Sequence, residues 1–464
     1  MAGRYLLHFA QEHISFRWPE FLAVTSRNSC EFKLISDLSH VKLRPFIIVQ
    51  LEDDKQEERL IKSASECYLL KDLYELWASS TVSLQDLSNK ASMSPHYLSK
   101  KYSGIDQSFR INCETFGVTT KQSKKIEMIK EMKFLEGFQC RPNLSNPKQI
   151  YCILEMNEKT DTSDSAMKKE FYFGRHLATS DRKAVHKFSL KERVFIANTS
   201  MDPLLSLVTA NTASIRKNDI TYDPFVGSGS LIVAAAYMGA YVIGADIDWM
   251  LLHGKSRSSR KGVKKRQPGE SIRANLKQYE LESRYLDVLV SDISRRPFGD
   301  NFKVDSIITD PPYGIRECSE KIGKKQSDRI ALTTEGKVRY PSKVDYTLED
   351  LLSDLLHLAA RHLNLNGRLI YYLPVTISEK RDFTEFIPSH PCLRFLSFSE
   401  QALTLRNYRL MVAMTKVREP EEGDTVMIPP ALTESNFRES YFKEYGEHKQ
   451  GHQECSENLN KMSL

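Results

Sequence analysis

From about residue 220 onward, short β-rich runs alternate with segments of helical pattern, and few folds accept that rhythm. Ile220 to Asp223 reads as a strand end, Leu231 to Met238 as a helix and Tyr241 to Asp246 as a strand. Asp287 to Ser291 and Asp305 to Thr309 read as two more strands, Leu351 to Leu363 as a helix and Arg368 to Leu373 as a further strand. Strands separated by helices cannot close as hairpins, so they need crossovers, and a parallel sheet with helices on both faces results. The expected fold class is α/β from His176 to Val417.

The residues before this region read differently. Residues 1–62 give strand, helix, strand, with Pro19 in the first turn of the helix, which suggests a small α+β layer. Residues 63–175 form a second expected unit, with strand-like composition at Cys67 to Leu70 and Ser108 to Phe116. Between Ser123 and Leu135, Ile126, Ile129, Met132 and Leu135 recur at threes among lysines, the pattern of an amphipathic helix with a basic outer face. Residues 418–464 are acidic and carry Pro429-Pro430, and the last of them read as flexible.

With 464 residues, 41% of them hydrophobic and 27% charged, the chain is long enough for two or three domains. No apolar run approaches the roughly 20 residues of a membrane helix, since Leu231 to Ala245 is interrupted by Gly239 and Gly244. The amino terminus is too short and too soon charged for a signal peptide. Eight scattered cysteines without a Cys-x-x-Cys argue against a disulfide framework and a self-contained zinc site, so a reducing, cytoplasmic setting is expected. No histidine stands at ligand spacing, and no metal is expected. The net charge of +6 permits a polyanionic partner without demanding one.

Chemistry gathers at the ends of the strands. Asp223-Pro224-Phe225-Val226-Gly227-Ser228-Gly229-Ser230 joins a strand directly to a helix. Gly227 and Gly229 allow a ligand close to the backbone, beside the free amides of a helix start. The spacing misses both the dinucleotide fingerprint and the phosphate loop. About 20 residues on, the strand ending in Asp246 offers an acid suited to the two hydroxyls of a ribose, while Asp248 is placed to cap the next helix. Asp292 closes a third strand and suits an adenine amino group. Then Ile308-Thr309-Asp310-Pro311-Pro312-Tyr313-Gly314 ends a strand in a carboxylate followed by two residues without backbone N–H. Carbonyls and a carboxylate therefore face one space as acceptors, with the Tyr313 ring ready to stack. That set engages both N–H bonds of an exocyclic amine and leaves the nitrogen lone pair directed at an electrophile.

In this order, Asp-Pro-Phe-Val-Gly-Ser-Gly, Gly-Ala-Asp-Ile-Asp and Asp-Pro-Pro-Tyr-Gly resemble the motifs of class I S-adenosylmethionine-dependent amino-methyltransferases. More narrowly, the chain resembles the catalytic subunits of eukaryotic tRNA (guanine-10-N2)-methyltransferases. Tyr172 to Arg175, Phe195 to Asp202, Ile272 to Leu276, His390 to Leu393 and Asn436 to Glu439 carry this narrower likeness. The resemblance implies a ferredoxin-like segment over 1–62, a THUMP RNA-binding domain over 63–175 and a Rossmann-like methyltransferase domain over 176–417. It implies S-adenosylmethionine as cofactor, held by Thr199, Asp223, Phe225, Gly227, Gly229, Asp246 and Asp292. Catalysis would rest on Asp310, Pro311, Pro312 and Tyr313. The implied partners are tRNA and a small zinc-binding activator subunit. Ala197 and Glu280 stand where the family pattern has glycine.

The run from His253 to Gly269 holds seven basic residues before Glu270. A solvated face is the plain reading. Beside the ribose-binding strand, however, Arg257, Arg260, Lys264, Lys265 and Arg266 are candidate phosphate contacts. Residues 315–346 read as a substrate-facing loop, with disorder as the rival. The nearest enzymatic alternative is an adenine N6-methyltransferase on RNA or DNA, and the non-enzymatic one is a catalytically silent tRNA-binding scaffold. Loss of the glycines or of Asp310 would mark the latter, and all are present.

Overall fold

A computed structural model describes residues 3–37, 44–94, 96, 100–159, 167–263, 265–315, 319–323, 342–377, 382–434 and 437–444. The chain divides into two compact units, one of Met1–Arg17 with Asn28–Asp181, the other of Trp18–Arg27 with Arg182–Leu464.

The first unit is built on one sheet of eight strands: β1 (Gly3–Phe9), β2 (Lys33–Leu34), β3 (Phe46–Leu51), β4 (Leu70–Ser80), β5 (Ser108–Phe116), β6 (Arg141–Pro142), β7 (Gln149–Lys159) and β8 (Met167–Thr179). Their order is β2-β3-β1-β4-β8-β7-β5-β6. The expected division at residue 62 falls inside the helix Gln56–Glu66, and strands from both sides of it share this sheet. The reason is long-range: Tyr5 to Phe9 of β1 pair with Leu70 to Glu75 of β4, which no local pattern announces. Cys67 to Leu69 precede β4 rather than form it. The helix Gln122–Glu131 buries Met128, with Met132 just beyond its end, and leaves Ile126 exposed, so the packed stripe is offset from the one expected.

The second unit carries β9 (Ile220–Asp223), β10 (Tyr241–Asp246), β11 (Tyr285–Val290) and β12 (Val304–Thr309). It continues with a small pair, β13 (Glu320–Ile322) and β14 (Lys343–Asp345), then β15 (Leu363–Thr376), β16 (Leu393–Ala402) and β17 (Asn407–Lys416). Seven of these form one sheet in the order β11-β10-β9-β12-β15-β17-β16. The five strands from β11 to β15 run parallel, and β17 pairs antiparallel with both β15 and β16. The chain runs outward from β9 to β11 and then crosses to β12 on the other side of β9. At such a reversal the loops after adjacent strands part and open a crevice at their carboxyl ends.

The helices follow from their sequences. Leu348–His362 starts under a Thr347 cap that accepts from the Asp350 amide at 3.2 Å. It carries acids in its first turn and bases in its last, and it buries Leu351, Leu352, Leu355, Leu356 and Ala359 at helical spacing. Pro203–Thr212 starts at a Pro behind the Asp202 cap and is buried along its whole length. Burial on every side brings polar partners: the Asn211 amide donates to Glu20 Oε1 at 2.7 Å, and Arg27 donates to Asn211 Oδ1 at 3.2 Å. These bonds explain why Trp18–Arg27 belongs with the second unit. Among the described residues no helix is long and apolar enough to cross a membrane.

Candidate active site

Backbone approach builds the floor of the crevice. The Val226 amide donates to Ala245 O at 2.8 Å, which lays the turn after β9 across β10. Gly244 permits this: a Cβ there would stand 2.6 Å from Val226 Cγ2. Gly227 has φ 52, and Gly229 caps the helix Ser230–Tyr237 with φ 81. Both lie in the left-handed region that costs a residue with a side chain about 1–2 kcal/mol. Gly229 does not line the crevice. It sits under Ile272, whose Cγ2 a Cβ would meet at 2.8 Å, so the lack of a side chain there serves packing.

The crevice encloses about 270 Å³ and is lined by Thr199, Asp223, Phe225, Gly227, Asp246 and Asp292 together with Asp310, Pro311, Pro312 and Tyr313. Asp246 Oδ2 accepts from the Gly227 amide at 2.9 Å and Oδ1 from the Asp248 amide at 2.9 Å, so its plane is set by the turn beside it. Asp248 caps the helix Trp249–Leu252 by accepting from the Leu251 amide. Asp292 Oδ1 accepts from Ser294 N at 2.9 Å and Oδ2 from Ile322 N at 2.6 Å. The second bond ties β13 to the loop that follows β11. The loop expected over 315–346 thus includes a described hairpin, β13 with β14, that brings Glu320, Lys343 and Tyr346 to the lining. Its residues 316–318 and 324–341 lie outside the described part.

Asp223 is nearly fully buried, and burial pushes its carboxyl up to about 7. Oδ1 accepts from Thr309 Oγ1 at 2.6 Å and from the Phe225 amide at 3.0 Å, which favours the charged form, while Asp246 and Asp310 oppose it by repulsion.

Asp310 closes β12. Its Oδ2 accepts from Arg409 Nη1 at 2.8 Å. Arg409 lies on β17 and had no motif to mark it. Phe437 stands edge-on to Tyr313, with ring centroids 6.3 Å apart, and Arg438 Cδ lies 3.6 Å from a Cβ built on Gly314. Phe437 and Arg438, within the helical residues 437–444, therefore sit against the segment that follows β12.

The basic run separates into two classes. The Arg266 side chain is only 4% exposed, donates to Ile196 O at 2.9 Å and Glu270 Oε2 at 3.0 Å, and lies over the Phe195 ring. That corrects its expected phosphate role: its charge is spent inside the fold. Arg260 donates to the carbonyls of Lys191 and Arg193, so it too braces the chain. Arg257 and Lys265 are exposed, and Lys264 lies outside the described residues. At Glu280 the backbone takes φ 62, the left-handed turn that a glycine would supply.

Residues 3–182 match the Tmrp11 THUMP N-terminal domain, and residues 191–329 match the RMKL-like methyltransferase domain. The tRNA (guanine(10)-N(2))-methyltransferase TRMT11 of Mus musculus is 38% identical over 446 residues, covering 95% of each chain. Its Homo sapiens counterpart is 37% identical over 449 residues, again covering 95% of each chain. That of Dictyostelium discoideum is 32% identical over 439 residues, 90% of this chain and 82% of the other.

Proposed function

Because the chain belongs to the tRNA (guanine(10)-N(2))-methyltransferase family, we propose that it methylates N2 of a guanine in tRNA, guanine 10 by family. The observation that carries this is Asp310 with Pro311 and Tyr313 lining one crevice with Asp223, Asp246 and Asp292. S-adenosylmethionine, when bound, supplies an electrophilic methyl on sulfonium. The residues present fit that group. Asp246, already oriented by two amides, accepts from the ribose hydroxyls with its remaining lone pairs. Asp292 accepts from the adenine amine, Asp223 faces the amino acid part, and Thr199, Phe225 and Gly227 complete the lining.

Asp310 and the Pro311 carbonyl accept the two N–H bonds of the base amine, so its lone pair stays directed at the electrophile. No group must deprotonate the amine before attack; Asp310 takes the proton afterwards. Tyr313 stacks on the base, which is turned out of the RNA helix because its amine is otherwise shielded by stacking and pairing. The amino-terminal unit binds the tRNA by shape and phosphates. A small zinc-binding activator completes the enzyme. Both edge strands of the second sheet keep apolar side chains exposed, Leu286 and Val290 on β11 and Phe395 and Leu396 on β16, which supports a sheet edge as its dock.

The test incubates the chain, co-expressed with the activator, with labelled S-adenosylmethionine and unmodified tRNA, then identifies the nucleoside after nuclease digestion. N2-methylguanosine is expected. Asp310→Ala should lower transfer at least about a hundredfold with cofactor and tRNA affinities nearly intact. N6-methyladenosine, or equal loss of binding in that variant, overturns the reading.

A further inference from the structure

Of the six carboxylates that line the crevice, Asp223, Asp246 and Asp292 are oriented in the same local way. Asp223 accepts from the amide of Phe225, Asp246 from that of Asp248 and Asp292 from that of Ser294, each two residues on. This turn fixes a carboxylate next to its own strand end. Asp310 cannot use it, because the residue two positions later is Pro312, which has no N–H. The hydrogen bond that its Oδ2 accepts comes instead from outside the motif.

Arg409 is built for that. On β17 it stands opposite Pro374 of β15 and Gln401 of β16. Its Nε and Nη2 donate to Gln401 Oε1 at 3.1 and 2.8 Å, leaving Nη1 to Asp310 Oδ2 at 2.8 Å. The guanidinium lies 4.4 Å from the centre of the Tyr372 ring, and the Tyr372 hydroxyl meets Thr209 Oγ1 at 2.8 Å inside the core. Only 14% of the Arg409 side chain and 23% of the Asp310 side chain is exposed, so solvent competes little for the bond. A guanidinium bonded along one edge and stacked on one face does not follow a moving carboxylate; the carboxylate settles where the guanidinium holds it.

We propose that Arg409 is the positioning residue for Asp310, taking the place of the missing local amide and aiming the carboxylate at the base amine. This rests on the methyl-transfer reading above. Gln401 and Tyr372 act one step further back, by holding the guanidinium.

Arg409→Met, Arg409→Lys and Gln401→Ala are made in the full chain co-expressed with its activator, each alone, and Arg409→Met also in an Asp310→Asn background. Asn keeps one acceptor oxygen. Arg409→Met is expected to lower kcat about a hundredfold, with the tRNA KM and the S-adenosylhomocysteine affinity within about threefold of the unchanged chain. Arg409→Lys should regain at least about tenfold of that loss, since it restores a donor but not the fork, and Gln401→Ala should cost several-fold. On top of Asp310→Asn, Arg409→Met should cost less than about threefold more, because the two act as one unit. Full multiplication of the two losses, or an equal fall in cofactor affinity, overturns the proposal. A crystal structure of Arg409→Met gives a readout independent of turnover: Asp310 in its original rotamer sinks the idea, and a turned carboxylate supports it. The methylated nucleoside made by the unchanged chain judges the guanine reading separately. A different product would defeat that reading and still leave the coupling of Arg409 to Asp310 measurable.

Discussion

With the cofactor's amino acid part facing Asp223 as proposed, this carboxyl is expected to set a pH limit on cofactor binding, of a size that follows from its burial. Burial raises its carboxyl from 3.8 to about 7, so the folded chain keeps the proton through a range in which the unfolded chain has lost it. Protonation thus favours the folded state. That contribution is complete below the unfolded value and is lost as pH rises toward 7, on the order of 4 kcal/mol in all. A bound ammonium group reverses the preference, because an opposite charge stabilises the carboxylate. Binding of S-adenosylhomocysteine, which carries the same amino acid part as the cofactor, should therefore expel the proton. Its affinity should rise about tenfold between about pH 6 and about pH 8 and level off above, with about 0.9 proton released at the lower pH. Titration calorimetry in buffers of different ionisation enthalpy measures both quantities. Asp223→Asn should flatten the profile. Thr309→Val removes the 2.6 Å bond that favours the charged form, so its midpoint should move upward. A constant affinity across this range, or the same slope in Asp223→Asn, would refute the reasoning.

Two further expectations concern stability. Glu280→Gly should raise Tm by roughly 1–3 °C, because relief of the left-handed backbone outweighs the glycine entropy by about 0.5–1 kcal/mol; an unchanged or lower Tm in calorimetry counts against a strained helix end. Gly244→Ala should cost about 1–3 kcal/mol by driving a methyl into Val226. It should also weaken S-adenosylhomocysteine binding several-fold, since the same contact lays the glycine turn on β10; unaltered denaturant midpoint and affinity would refute that.

The second sheet was largely legible because four of its five parallel strands are short runs of four to six residues with an acid at or just after the end. Asp223, Asp246, Asp292 and Asp310 all mark strand ends, and the reversal of strand order between β9 and β12 brings those ends together. The first sheet was less legible. β4 joins residues expected in different domains, and its partners β1 and β8 lie about 65 and 100 positions away along the chain. Basic character was the weakest guide. Charge along His253 to Gly269 looks uniform in the sequence, yet the Arg266 side chain is packed against Phe195 and Glu270 while Arg257 stays exposed. Whether a guanidinium finds carbonyls or solvent depends on a backbone that the run itself does not specify.

The site divides along the same line. An acid oriented by an amide two residues on leaves both partners in one motif, so Asp223, Asp246 and Asp292 could be assigned a place before any fold was known. At Asp310 a proline removes that amide, and Oδ2 accepts instead from Arg409, 99 positions later on an antiparallel strand. Asp292 shows both regimes at once, with Ser294 beside it and Ile322 from the hairpin 30 positions on. On the proposed reading, the Pro-Pro pair that clears the amine-binding space of competing donors also removes the i+2 amide from Asp310, and the donor found there, Arg409, is one that motif spacing does not reveal. The donor that reaches Asp310 comes from β17, an antiparallel strand two places from β12 in the sheet, with β15 between them.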